Sequence, residues 1–294
     1  MHESLTVNHH TLTWGARTYI MGILNVTPDS FSGDGMLAEA GGKIDVDFIL
    51  GKARGFVAEG ADILDVGGES TRPGSQPVDA EEEMRRVLPV IRRLRGELDV
   101  LISVDTYRAA VAQEALQAGA HMVNDVWGLK ADPELANVVA RQDAPVILMH
   151  NRSSWVNAEV RERLGGRYVG VPYDNLLEDI CNELMESVRI AQQAGIPDEH
   201  ILLDPGIGFG KTVEQNLELL DRLGGIRALG YPVLSGPSRK SFIGYTLDLP
   251  PDQRLEGTAA AVAISIARGA DLVRVHDVGY MRRVVRMTDA IVRR

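Results

Sequence analysis

The sequence of 294 residues predicts an α/β fold, a single (β/α)8 TIM barrel that spans residues 1–294 as one domain. Two observations predict it: short runs rich in Val, Ile and Leu recur eight times, and helical patterns separate them. The runs are continuous rather than alternating, as expected of parallel strands covered on both faces. An open, doubly wound sheet is the alternative with the same alternation of elements.

The eight runs, in order, predict barrel strands at 19–26 (YIMGILNV), 61–68 (ADILDVGG), 100–105 (VLISVD), 121–126 (HMVNDV), 145–150 (PVILMH), 200–206 (HILLDPG), 231–236 (YPVLSG) and 271–276 (DLVRVH). Helical patterns are clearest at 79–98, 108–118, 176–194 and 258–267. Glycine follows several helices, in EGAD, AGAH, AGIP and RGAD, and glycine commonly ends helices. The longest irregular segment is predicted at 151–174.

The composition restricts the possible partners and the compartment. A net charge of −10 argues against a nucleic acid or an anionic membrane surface as a partner. No apolar run approaches the ~18 residues of a membrane span. The only cysteine, Cys181, lies in a helical pattern and is predicted to be core, so an internal disulfide is excluded. We therefore predict a cytoplasmic protein with no nucleic-acid or membrane partner.

Nearly every predicted strand ends in a hydrogen-bonding or ionisable residue. In a parallel barrel these ends meet at the face that carries the site. One such residue is commonly a cap or a turn former, but eight in register are hard to explain in that way. In chain order they are Asn25, Asp65, Asp105, Asn124 with Asp125, His150, Asp204, the turn at 238–241, and Arg274 with His276.

These side chains form two chemical groups. Asp105, Asn124 and Asp204 suit a flat heterocycle rich in N–H donors, since a carboxylate accepts two such donors side by side. The second group mainly donates and suits phosphate oxygens or a carboxylate: Asn25, Arg72, Lys240, Arg274 and His276. The predicted ligand is therefore a nitrogen heterocycle that carries an anionic group.

The segment LSGPSRKSFIG, residues 234–244, places two cations and a hydroxyl where a strand ends and a helix begins. A helix N-terminus is already partly positive, because its first N–H groups have no intrahelical partner. Cations there are unfavourable for the helix, so we expect an anion to bind. Arg239 is nevertheless predicted to be a surface cation.

Seven motifs together resemble the dihydropteroate synthase family: MGILNVTPDSFSGDG, DVGGESTRPGS, SVDTYR, VNDVWG, LLDPGIGFGKT, SGPSRKSFIG and DLVRVHDV. The resemblance implies a barrel transferase of folate biosynthesis. Such an enzyme joins 6-hydroxymethyl-7,8-dihydropterin diphosphate to 4-aminobenzoate and releases 7,8-dihydropteroate and pyrophosphate. It also implies Mg2+ as cofactor, a homodimer, and competition by sulfonamides.

The resemblance assigns roles residue by residue. Pterin recognition and catalysis would belong to Asp105, Asn124, Asp204 and Lys240. Arg274 would line pterin and diphosphate, His276 the diphosphate, and Asn25 would bind the metal ion. The second loop and the aminobenzoate site would include Phe31, Thr71, Arg72, Pro73 and Ser241, with the carboxylate at the helix N-terminus near Ser241. Asp34 lies one position later than in many family members, which leaves its role open.

The motif GIGFGKT lacks the spacing of a phosphate-binding loop. Gly206, Gly208 and Gly210 are predicted to let the backbone approach the flat ring, with Phe209 beside it as a substrate-binding residue. Lys211 is given no catalytic role.

The remaining histidines receive structural predictions. His150 is predicted to support the end of the fifth strand, and His9 and His10 to lie in an exposed N-terminal segment. No H-x-x-x-H or C-x-x-C spacing indicates a structural zinc site.

Two alternative functions remain open from the sequence. Pterin-binding methyltransferase domains use a similar barrel and would share the Asp and Asn strand ends, without needing cations for a diphosphate. A non-catalytic homologue would keep the pterin pocket without turnover.

Overall fold

The computed structural model describes residues 3–27, 44–70, 78–161, 163–169 and 171–294. Within them the strands are β1 (Ser4–Val7), β2 (His10–Thr13), β3 (Tyr19–Asn25), β4 (Ile63–Gly67), β5 (Leu101–Asp105), β6 (Met122–Asp125), β7 (Val146–Met149), β8 (Ala158–Arg161), β9 (Gly165–Tyr168), β10 (Ile201–Asp204), β11 (Leu234–Ser235) and β12 (Leu272–Val275). Strands β3 to β7 and β10 to β12 each lie within one of the eight predicted runs.

These eight strands form one parallel sheet in the order β10-β7-β6-β5-β4-β3-β12-β11. The two ends of the sheet meet, because a parallel bridge pairs Leu203 of β10 with Val233, next to β11. The Leu203 N–H also donates to the Pro232 carbonyl at 2.9 Å. The sheet therefore closes into the predicted (β/α)8 barrel, and the open doubly wound alternative is wrong.

The helices that follow the strands are α1 (Val46–Glu59), α2 (Ala80–Glu97), α3 (Ala109–Ala118), α4 (Glu134–Arg141), α5 (Leu176–Gln193), α6 (Val213–Asp221), α7 (Gly224–Arg227), α8 (Ser241–Leu247), α9 (Leu255–Ala267) and α10 (Val278–Val292). Capping residues explain where several of these helices begin and end. The Asp79 side chain accepts the Glu82 N–H at 2.8 Å before α2, and Gly119 ends α3 at φ 113°. In the described ranges no helix is long and apolar enough to cross a membrane.

The barrel interior changes from apolar to polar along the strands. The lower layer, near the strand N-termini, packs as one cluster that includes Met21, Ile63, Leu101, Met122, Ile147, Leu202, Leu234 and Leu272. Two residues further on, the same face of five strands carries Asp65, Ser103, Asn124, Asp204 and Arg274. Residues between the two layers, such as Leu64 and Ile102, join the cluster formed with the helices. The polar groups therefore collect at the carboxyl end of the barrel.

An N-terminal hairpin, β1–β2, covers the opposite end of the barrel. It pairs Leu5 with Leu12, and both pack with Trp14 against the lower interior layer. The sequence predicted an exposed segment here, which is wrong for its apolar side, although His9 is exposed. The reason is that an uncovered lower layer would leave apolar side chains in contact with water.

A second hairpin, β8–β9, lies within the predicted irregular segment 151–174. The position of the excursion was predicted correctly, but its strands were not. The Tyr245 hydroxyl of α8 donates to the Gly165 carbonyl at 3.1 Å. This hairpin therefore rests against the helix that begins at Ser241.

We predict that Leu5→Ala lowers the free energy of unfolding by about 2–5 kcal/mol, because it removes buried methyl groups and leaves a cavity under the barrel. Denaturant titration measures the change. The control is Thr6→Ala, an exposed neighbour on the same strand, which should change stability by less than about 0.5 kcal/mol. Equal stability of Leu5→Ala and wild type would contradict a sealing role for the hairpin.

Candidate active site

The carboxyl ends of four neighbouring strands are aligned residue by residue. Asn25 of β3 pairs with Gly67 of β4, and Gly67 pairs with Asp105 of β5. Asp105 in turn pairs with Asn124 of β6. The structure thus brings these predicted site residues to one edge of the barrel mouth.

A partly buried guanidinium joins two of the strand-end carboxylates. Arg274 of β12 donates from Nε to Asp65 Oδ2 at 2.6 Å and from Nη2 to Asp105 Oδ2 at 2.7 Å. The Asn124 amide donates to the same oxygen of Asp65 at 3.0 Å. Asp65 is fully buried, so this carboxylate fixes both the guanidinium and the amide by charge-assisted hydrogen bonds.

Burial sets the proton affinity of the site carboxyls. It raises the pKa of Asp105 to about 7, against the lowering effect of the Arg274 charge. Burial also raises the pKa of Asp204 to about 6, although Asp204 accepts the Gly206 N–H at 2.7 Å. For Arg274, burial disfavours the charge, but Asp65 and Asp105 outweigh it and raise the pKa above its ordinary value. The mouth therefore holds carboxyls that gain most from new N–H donors.

Lys240 directly precedes α8 and packs over the loop that follows β10. Its Nζ lies 3.9 Å from the centroid of the Phe209 ring, a cation–π distance. Gly208 leaves room for the lysine stem, because a Cβ there would lie 2.9 Å from Lys240 Cδ. The Lys240 charge also opposes the rise in the pKa of Asp204 that burial causes. The structure thus brings together Lys240 and Phe209, two of the predicted substrate-binding residues.

The glycines of this loop approach the protein's own chain. A Cβ on Gly206 would lie 1.9 Å from the His150 carbonyl oxygen, and one on Gly210 would lie 2.2 Å from the Arg152 carbonyl carbon. The sequence predicted close approach to a flat ligand. In the structure, the need for glycine at Gly206 and Gly210 comes from the chain after β7.

Arg239 is wrongly predicted as a surface cation. Its side chain is 22% exposed and donates to both carboxylate oxygens of Asp277, at 2.6 and 3.0 Å. Its backbone is left-handed at φ 54°, and its N–H donates to Thr258 Oγ1 at 3.0 Å. Such a conformation costs on the order of 1–3 kcal/mol. These bonds offset that cost and fix the turn from which Lys240 extends.

Lys211 is buried beneath the same loop. Its Nζ contacts His150 Nδ1 at 2.9 Å and donates to the carbonyls of Gly206 and Phe209, each at 3.0 Å. An ammonium has three donors, so these three acceptors match it. Burial lowers the pKa of Lys211 to about 7 and that of His150 to about 4, so the imidazole is neutral. Nε2 of His150 lies 3.1 Å from Glu183, which agrees with its predicted supporting role.

Of the remaining predicted residues, the structure describes His276 and Ser241. His276 is bound to the SGPSRK turn, since its N–H donates to Ser238 Oγ at 3.2 Å and its Nδ1 lies 3.0 Å from the same oxygen. Ser241 is the first residue of α8. Five predicted residues lie outside the described ranges: Phe31, Asp34, Thr71, Arg72 and Pro73.

A family model described as pterin binding enzyme matches residues 21–276, from β3 to the end of β12. The chain belongs to the pterin-binding enzymes. It is 51% identical over 282 residues to the dihydropteroate synthase of Clostridium beijerinckii, covering 95% of this chain and 96% of that protein. It is 50% identical over 281 residues to the Bacillus subtilis dihydropteroate synthase, covering 95% and 90%.

Solved structures of dihydropteroate synthases have the same fold as this pterin-binding enzyme. The Clostridium difficile structure, in the presence of pteroic acid, has a TM-score of 0.85 at 48% identity, covering 96% of this chain and 99% of that chain. The Yersinia pestis structure, in complex with a sulfonamide drug, has a TM-score of 0.88 at 38% identity, covering 98% of both chains.

Two residues of this pterin-binding enzyme have a larger part in the site than the sequence indicated. Asp65 was noted as a strand end but was given no role. Strand periodicity could have indicated its role, because Asp65 lies two residues after Ile63 and therefore on the same interior face of the barrel strand. Lys211 was given no catalytic role. No sequence motif indicated its buried position, because its hydrogen-bond partners depend on how the loop after β10 folds.

We predict that Lys211→Met lowers the free energy of unfolding by about 2–4 kcal/mol, because buried acceptors lose their donor. It should also weaken pterin binding about tenfold as the Phe209 loop relaxes. Denaturant titration and calorimetry measure the two effects. The control is Lys130→Met, whose partly exposed ammonium bonds Glu186 at the surface. Wild-type stability and affinity in Lys211→Met would contradict the assignment.

Proposed function

We propose that this chain catalyses the dihydropteroate synthase reaction, as one domain over residues 1–294. The observation that carries the proposal is the set of hydrogen-bonding groups at the barrel mouth, buried Asn124 and Asp204 with partly buried Asp105 and Lys240, in a chain 51% identical to a dihydropteroate synthase over 282 residues. The substrates are 6-hydroxymethyl-7,8-dihydropterin diphosphate and 4-aminobenzoate.

The pterin ring is bound by acceptors from three strands. Asp105 and Asp204 accept the ring N–H groups, and the Asn124 amide completes the edge contacts. Support comes from the raised pKa values of both carboxyls, because a carboxylate held in a poorly solvated site gains most from a ligand donor. Lys240 and Phe209, already in contact, border the ring from the loop after β10.

The reaction is a substitution at the methylene carbon of the pterin. The bond from that carbon to the diphosphate oxygen breaks first, and the electron pair leaves with the diphosphate. Positive charge then spreads into the pterin, where Asp105 and Asp204 stabilise it through the ring N–H groups. The neutral aromatic amine forms the C–N bond and loses its proton to water. Arg274, His276 and Arg72 stabilise the departing diphosphate.

Mg2+ is part of the proposal, with Asn25 as its protein ligand. Asn25 ends β3 beside Gly67 and offers an amide oxygen, a hard ligand of the kind Mg2+ prefers. One such ligand fits, because Mg2+ commonly completes its shell with water and substrate phosphates. When bound, the ion neutralises charge on the diphosphate.

The aminobenzoate site is assigned from the resemblance to the family. It comprises Phe31, Thr71, Pro73 and Ser241, with Arg72 toward the diphosphate. Sulfonamides share the aniline group and therefore compete with 4-aminobenzoate.

A homodimer and a cytoplasmic location complete the proposal. The homodimer is supported by apolar side chains exposed on two adjacent helices, Ile264 of α9 and Met287 and Ile291 of α10. A second copy of the chain would cover them. The location rests on the single cysteine, which suits a reducing compartment.

We predict that Asp204→Asn lowers kcat/KM by at least about 100-fold, because it removes a charge that stabilises the developing cation. A single-turnover assay with both substrates and Mg2+, read by the mass of the product, measures it. The matched control is Asp221→Asn, an exposed carboxylate paired with Arg268 on the surface. Wild-type turnover by Asp204→Asn would refute the mechanism, and no turnover by the wild type would favour a non-catalytic pterin-binding protein.

We predict that pterin affinity is pH-dependent. The carboxylate form of Asp204 must accept the ring N–H groups, and its pKa is raised to about 6. The carboxylate form of Asp105, whose pKa is raised to about 7, accepts ring N–H groups as well. Affinity should therefore be constant above about pH 8, fall about tenfold per pH unit between about pH 7 and pH 6, and fall more steeply below about pH 6. Titration calorimetry with 6-hydroxymethylpterin between pH 8 and pH 5 tests this prediction. An affinity that stays constant over this range, with no proton exchanged on binding, would contradict it.

A further inference from the structure

Two histidines and one aspartate meet at the end of the barrel opposite the active site. His9 Nε2 lies 2.6 Å from Asp99 Oδ1, and His10 Nε2 lies 3.1 Å from the same oxygen. His9 belongs to the turn between β1 and β2, and Asp99 lies between α2 and β5. We call these three residues the hairpin cluster.

The turn geometry explains why adjacent residues converge on one atom. Consecutive side chains of a strand face opposite sides. His9, however, lies in a turn whose first residue, Asn8, is left-handed at φ 57°. The imidazoles of His9 and His10 are therefore on the same side, with ring centroids 4.2 Å apart. Two ring nitrogens and a carboxylate oxygen all lie within 4.8 Å of one another.

We propose that the hairpin cluster is a surface binding site for a late first-row divalent metal ion such as Zn2+. Two imidazole nitrogens and one carboxylate oxygen are a ligand set that suits Zn2+, and water can complete the shell because His9 and Asp99 are exposed. A tetrahedral ion requires ligand atoms about 3.3–3.6 Å apart. The three atoms reach that spacing by movements on the order of 1 Å of exposed side chains.

The site would fasten the N-terminal hairpin to the barrel. His9 and Asp99 are separated by 90 residues in the chain, so an ion joining them cross-links the hairpin to the α2–β5 connection. The sequence contains no short zinc-ligand motif of the H-x-x-x-H or C-x-x-C type, because the proposed ligands come together only when the chain folds. Mg2+ is a poor occupant, because it prefers an octahedral shell of oxygens.

The test uses the untagged full chain, freed of metal with EDTA and dialysed. Titration with Zn2+ alone should show one ion per chain, and saturation should raise Tm by roughly 2–4 °C. The variants His9→Ala, His10→Ala and Asp99→Asn should each lose at least about tenfold in Zn2+ affinity. In EDTA they should melt with the wild type, because two of the three residues are largely exposed.

The matched control is His200→Ala, which removes a histidine that lies 3.5 Å from one aspartate, Asp143, and that belongs to no group of three or more metal-ligand residues in the described part of the chain. It should keep the wild-type affinity for Zn2+. Millimolar Mg2+ should change Tm by the same amount in the wild type and in the three cluster variants. A rise in Tm with Mg2+ that the cluster variants lose would overturn the proposal. Undiminished Zn2+ binding in all three cluster variants, or one ion shared by two chains in light scattering, would also overturn it.

Discussion

The contact of Arg274 with Asp65 and Asp105 is the interaction on which the barrel mouth depends. Two carboxylates from adjacent strands end in the same buried space, and the guanidinium is the charge that stabilises both. Removing one partner of a buried pair commonly costs about 3–5 kcal/mol, because the other charge remains without compensation. The same bridge orients the Asn124 amide through Asp65, so the proposed pterin-binding groups of β5 and β6 share one support.

Placing carboxyl groups in the poorly solvated barrel mouth lowers the stability of the fold, and the apolar lower half of the barrel offsets that loss. Burial raises the pKa values of Asp105 and Asp204 above those of an unfolded chain. Their contribution to stability is therefore greatest below about pH 4 and is lost as the pH rises through about 6 to 7. The apolar interior layer and the hairpin with Leu5 and Trp14 contain no such groups. Fold stability and ligand binding thus occupy opposite ends of the same strands.

The sequence predicted the barrel strands and helices well, because continuous apolar runs and glycine caps depend on local chemistry. The helices at 79–98, 108–118 and 176–194 agree to within one residue at each end. It missed both hairpins, whose strands are four residues long and are stabilised by contacts distant in sequence. The sequence placed Asp105, Asn124 and Arg274 together at the strand ends. It did not predict the hydrogen bonds of Arg274 and Asn124 to Asp65, because these depend on side-chain directions across the closed barrel. The environment of Lys211 likewise depends on the backbone after β7.

A double-mutant cycle on pterin affinity tests the central claim most directly. Calorimetry with 6-hydroxymethylpterin compares the wild type, Asp65→Asn, Arg274→Met and the double variant. If Asp65 acts by holding Arg274 in place, the double variant should bind no more than about threefold more weakly than the weaker single variant. Losses that multiply in the double variant would contradict the account, because Asp65 and Arg274 would then contribute independently.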